Sequence, residues 1–156
     1  MGPSRCSLCK MEIETQEHIL NSYSFAQHQW REIRSLFENS NRDPRDIKET
    51  IFQWGKGQYS CKVIRRAWNL AIGFVMWHLW KESNHRIFLD KINTPEKIWT
   101  GIQKAIKETV LVETWEEDDW KVNPVEGRIL MKLNMEYGMV YPKKEKRQQT
   151  HNQSPE

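Results

Sequence analysis

Cys6-Ser-Leu-Cys9 is followed, after eight residues, by His18 within the run Glu14-Thr15-Gln16-Glu17-His18-Ile19-Leu20. Two residues between cysteines let both thiolates reach one tetrahedral zinc ion, and a histidine from a neighbouring helix can supply a third ligand. A fourth ligand is expected about one helical turn beyond His18. Tyr23 stands there, and a neutral phenol is a poor ligand for zinc. His28 and Cys61 are the other candidates for that position. His28 falls ten residues past His18, about 80° from it around one helix and so off its face, and Cys61 is placed only by the fold. The chemistry suggested is metal binding.

The elements that must carry these residues follow from periodicity. Thr15 can cap a helix whose apolar positions Ile19, Tyr23, Ala26, Trp30, Ile33 and Phe37 recur by fours and threes, one stripe of an amphipathic helix. On that stripe Tyr23 points inward. Residues 39–41 break the pattern, and Asp43-Pro44 restarts a short helix as cap and first-turn proline, with Ile47, Ile51 and Trp54 as its apolar side. The loop Gly55-Lys56-Gly57 lacks the spacing of a nucleotide-phosphate cradle. A long helix is predicted over residues 62–89, apolar nearly all round in its middle and therefore central in a bundle, with Ile87 and Phe88 returning to the core. Thr94-Pro95-Glu96 starts another helix, with Trp99, Ile102, Ile106 and Val110 buried. Beyond Trp115 the acidic run ends the regular pattern. Ile129, Leu130, Leu133, Met135 and Tyr137 can dock a short element, and residues 142–156 have the composition of a disordered tail.

These residues resemble the zinc-binding segment near the C-terminus of reverse transcriptases encoded by plant non-LTR retrotransposons, of the form Cys-x2-Cys-x8-His-x4-Cys. The acidic-Thr-x-Glu-His stretch matches at residues 14–18, and Trp30 matches the family tryptophan that follows the histidine. A second block, Trp77-His78-Leu79-Trp80-Lys81-Glu82-Ser83-Asn84-His85-Arg86-Ile87-Phe88, resembles the family's Trp-x-x-Trp-x-x-Arg-Asn-x-Arg-x-Phe. The two blocks span residues 6–115, with Tyr23 in place of the last cysteine and Ser83 in place of an arginine. The resemblance implies an accessory domain of a larger polyprotein that contacts RNA or DNA without chemistry of its own. Metal ligands would be Cys6, Cys9 and His18. The alternative is a metal-free helical interaction domain, or a decayed retroelement remnant.

Composition bounds the rest. At 156 residues the chain fits one domain with a tail. Its eight tryptophans argue for a packed core, while a mean hydropathy of −0.81 argues for a polar surface. Residues 61–107 carry nine Lys/Arg against three Asp/Glu, and residues 108–120 carry six acids and no base. The basic stretch can track phosphates, with Lys62, Arg65, Arg66, Lys81 and Arg86 as candidate contacts. Lys143-Lys144-Glu145-Lys146-Arg147 in the tail is a shorter basic run. Three cysteines make no secreted disulfide framework, and no apolar leader precedes Cys6, so an intracellular setting, nuclear or cytoplasmic, is expected. The apolar run 67–80 is too short for a membrane span of ~20 residues. Asp118-Asp119 lacks the preceding aromatic of a polymerase metal motif, and no strand-rich region carries an RNase H centre. Cys61 beside Lys62 has no assured histidine base, so no enzymatic activity is expected.

The expected architecture is mainly α: a zinc-knuckle-like segment and first helix over residues 1–38, a helical bundle over 39–115, and an acidic linker with a flexible tail over 116–156.

Overall fold

The protein is described by a computed structural model over residues 5–6, 9–39 and 45–139. It is mainly helical, as expected. Helices α1 (Ser24–Leu36), α2 (Ile47–Trp54), α3 (Lys62–Phe88), α4 (Pro95–Leu111) and α5 (Pro124–Leu133) are joined by a π turn (His18–Ser22) and a 3-10 turn (Glu117–Trp120). Among the described residues the extended pairing is limited to one antiparallel bridge, Arg5 to Ile13. None of these helices is long and apolar enough to cross a membrane.

The first helix is not continuous from Thr15. Thr15 Oγ1 does accept the His18 N–H at 3.0 Å, but the chain then widens into the π turn and breaks at Tyr23, whose ψ of 136° is extended. The apolar stripe survives this break because Tyr23, as N-cap of α1, is still packed against the core. The cap of α2 is Asp46, whose carboxylate accepts the Glu49 N–H at 2.8 Å; Asp43 and Pro44 lie outside the described residues. Ile51, expected inside, is 48% exposed, and Thr50 is buried on that helix instead.

Aromatic packing closes the core. The indoles of Trp54 and Trp68 stack at 3.8 Å and 3°. Each ring N–H donates to the other residue's carbonyl, Trp54 to Trp68 at 2.8 Å and Trp68 to Trp54 at 2.9 Å, so two large apolar groups are buried without an unpaired donor. Phe37 meets both edge-on. Gly57 is required beneath them, since a Cβ there would stand 2.3 Å from Trp68 Cε2.

α3, at 27 residues the longest of these helices, packs chiefly on α4. It buries Val63, Ile64, Ala67, Trp68, Ala71, Val75 and Leu79, yet it is not enclosed on all sides. Trp77 and Trp80 are about half exposed, and Ile87 and Phe88 point to solvent rather than into the core. α4 starts where expected, with Thr94 Oγ1 accepting the Lys97 N–H, and buries Ile102, Ile106 and Val110, while Trp99 is only partly covered. Past the 3-10 turn, α5 docks Ile129, Leu130 and Leu133, followed by Met135, whereas Tyr137 is mostly exposed with its ring edge-on to Trp120. The expected tail, residues 142–156 with its basic run, lies outside the described residues.

Two buried carboxylates pin the ends of α3. Glu126 completes a capping box with Asn123 at the start of α5, and also accepts the N–H groups of Ser60 and Cys61 and the Ser60 hydroxyl. At the other end Glu82 accepts from Arg86 Nε at 2.8 Å, from the Asn93 N–H at 2.9 Å and from Asn93 Nδ2 at 2.7 Å. Burial alone raises both carboxyls, but these donors outweigh it and hold each below the usual range.

Candidate metal centre

Cys6 and Cys9 sit in a tight hairpin. The Cys6 N–H donates to Glu12 O at 2.7 Å, the Lys10 N–H returns to Cys6 O at 2.8 Å, and Lys10 adopts φ 59° to turn the chain between them. The Arg5–Ile13 bridge closes the hairpin base. The following residues lead directly into the π turn that holds His18, which is 6% exposed, and Cys6 is fully buried.

The ligand atoms of Cys6, Cys9 and His18 all lie within 4.8 Å of one another. Cys9 Sγ is 3.3 Å from His18 Nε2. Zinc bonds of about 2.3 Å to sulfur and 2.0 Å to nitrogen, at tetrahedral angles, would separate such a pair by roughly 3.5 Å. The Cys9–His18 separation is thus close to that of two ligands on one ion. The Met11 N–H donates to Cys9 Sγ at 3.4 Å. Backbone donors from Glu12 and then Met11 bring the Cys9 thiol down to about 7, the direction needed for a thiolate ligand. On the far side of the imidazole, Glu12 Oε2 approaches His18 Nδ1 at 3.0 Å, though off the line of an aligned hydrogen bond, since Nδ1 has no partner that meets that geometry. A carboxylate at that nitrogen favours the tautomer that leaves Nε2 free to bind metal.

Among the described residues this cluster takes in neither His28 nor Cys61. Cys61 is the buried N-cap of α3, its thiol donating to Asp119 O at 3.2 Å and pushed up by burial. That is the small inert residue at a helix start, and the opposite of an activated nucleophile. Tyr23 lies beside the site, its ring centroid 5.7 Å from that of His18, and stacks on Phe25. Its hydroxyl accepts from Arg86 Nη1 at 3.3 Å. The protein therefore brings together three side chains that could hold a metal ion, with the nearby Tyr23 phenol engaged by a guanidinium.

The five basic candidates separate into different roles. Arg86 is internal: besides Glu82 and Tyr23 it reaches Asn93 O and lies over the Phe25 ring at 4.9 Å. Lys62 pairs with Asp119 at 2.6 Å and Arg66 with Glu113 at 2.8 Å. Arg65 is exposed and donates to the carbonyls of Tyr59 and Ser60. Lys81 is exposed. Asp119, in turn, is held by Lys62 and by the Glu116 N–H, a structural use of the acidic run. Glu12, Glu82 and Glu126 were not singled out by sequence pattern. For Glu126 a signal exists in Asn123-Pro124-Val125-Glu126, a capping-box sequence.

No family model, no curated protein and no solved structure matches the chain.

Proposed function

We propose that this chain is a non-catalytic, zinc-binding accessory domain of a retroelement reverse transcriptase that associates with nucleic acid. The observation that carries the metal half is the convergence of Cys6, Cys9 and His18 at mutual distances within 4.8 Å. Zinc held by these three residues, with water as the fourth ligand, would fasten the N-terminal hairpin to the π turn and through Tyr23 and Arg86 to α3. Its role is structural, and the residues that would otherwise suggest chemistry have other duties: the Cys61 thiol donates to Asp119 O, and the Asp119 carboxylate pairs with Lys62 at the start of α3. The nucleic-acid half is supported by the basic excess of residues 61–107 and by Arg65 and Lys81 standing on the surface of α3.

One observation favours a second reading, a metal-free helical interaction domain. The Trp54–Trp68 stack and its surroundings close without help from any of the three ligands. Thermal unfolding with zinc and with a chelator separates the two. A zinc-dependent rise in Tm that is lost in Cys6→Ser/Cys9→Ser supports the metal site; a Tm indifferent to zinc in both proteins favours the metal-free domain. Binding of single-stranded RNA or DNA that weakens as salt rises tests the nucleic-acid half.

A further inference from the structure

A cleft of about 260 Å³ lies between the C-terminal part of α3 and the start of α4, lined by Lys81 and His85 from α3, Lys91 and Asn93 from the connection, and Lys97 from α4, with His78 and Glu82 at its wall. Lys81, Lys91 and Lys97 are exposed, and none forms an ion pair among the described residues. The one carboxylate in the lining, Glu82, is already answered by Arg86. Asp90 and Glu96 are exposed nearby, outside the lining. The N-terminal turn of α4 adds the positive end of its dipole. His78 is held below its usual range by burial first, against the raising effect of its hydrogen bond with Phe74 O, with a smaller contribution from the Lys81 charge.

Beside it, Trp77 and Trp80 stand about half exposed, 5.1 Å apart and inclined at 31°. Lys81 is one turn along α3 from Trp77 and so shares its face. Large aromatics at the surface next to unpaired cations are the combination that stacks bases and neutralises phosphates. The cleft is smaller than the roughly 300–1,000 Å³ of a site that encloses a whole small ligand, which suits one phosphate group with its base outside.

We infer that this cleft seats a backbone phosphate of single-stranded nucleic acid between Lys81, Lys91 and Lys97, with a base stacked on the Trp77–Trp80 pair. The inference deepens the nucleic-acid half of the proposed function and rests on it. It moves the contact surface to the α3–α4 cleft, away from Arg86 and the N-terminal half of α3.

The test is fluorescence anisotropy of labelled dodecamers of thymidylate and uridylate with the full chain, from 50 to 200 mM salt. The variants are K81Q/K91Q/K97Q, W77A/W80A and, as a comparison, R65Q/R66Q; all these side chains are exposed, and circular dichroism checks that the fold is kept. Each phosphate contact on a single strand contributes about 0.7 to the log–log salt slope. With one phosphate seated in the cleft, the triple lysine variant should therefore lose about 0.7 from that slope, and the wild type should weaken about 2.6-fold more than this variant across the fourfold salt range. W77A/W80A should bind at least about fivefold more weakly, with R65Q/R66Q near wild type. Wild-type binding that survives the lysine substitutions but falls with R65Q/R66Q overturns the cleft and leaves the proposed function standing. No binding by the wild type at 50 mM salt overturns both.

Discussion

Replacing Glu126 with glutamine tests how the start of α3 is held. Glu126 is 1% exposed. One carboxylate oxygen accepts from the Ser60 and Cys61 N–H groups, the other from the Asn123 N–H at 3.1 Å and the Ser60 hydroxyl at 2.8 Å. Glutamine keeps one oxygen and turns an NH2 toward the other set, so at least one backbone donor at this buried carboxylate loses its acceptor. Hydrogen bonds to a charged group are worth about 1.5–3 kcal/mol, and an orphaned buried donor costs about 1–3 kcal/mol. The expected loss is about 2–3 kcal/mol in urea unfolding at pH 7. The pH dependence has a definite sign. The folded carboxyl lies below its ordinary 4.5, so the unfolded chain binds the proton more readily, and Glu126 stabilises the fold fully above about pH 4.5 and progressively less as pH falls through the folded value. The wild-type advantage over Glu126→Gln should therefore shrink on acidification below that pH. A variant within about 0.5 kcal/mol of wild type at pH 7, or a difference that does not narrow in acid, would refute this account.

Gly57→Ala forces a Cβ to 2.3 Å from the Trp68 ring and should cost about 1–3 kcal/mol, read by urea unfolding with tryptophan fluorescence. In metal-free protein, Cys9 should be alkylated with a half-maximal rate near pH 7, because backbone donors stabilise its thiolate, while buried Cys61 stays unreacted until the chain unfolds; peptide mass mapping checks the order. Tyr23→Cys should raise zinc affinity in a chelator competition by supplying a thiolate beside His18, and unchanged affinity would show that the fourth region cannot reach the ion.

The parts of this fold that were legible in the sequence are those decided locally. Thr94-Pro95-Glu96 starts α4 because cap, proline and first-turn acid act within four residues. The spacing of Cys6, Cys9 and His18 needed only a hairpin and a turn to converge. What a stripe of apolar residues cannot tell is which face finds a partner: Ile51, Ile87 and Phe88 fit their helices' periodicity and still meet solvent. Nor does spacing by threes and fours distinguish one helix from a π turn and α-helix joined at Tyr23. Arg86 was legible as a cation but not as an internal one, since that role depends on Asn93, Tyr23 and Phe25 arriving from elsewhere in the chain. Glu12 at His18 is likewise set by the hairpin, a contact no helical or strand period encodes.

The central claim is that Cys6, Cys9 and His18 hold a zinc ion. Elemental analysis of the purified protein, beside the Cys6→Ser/Cys9→Ser variant, tests it most directly. The account predicts about one zinc per chain, lost in the variant; folded wild-type protein that takes up no zinc when supplied with it would contradict it.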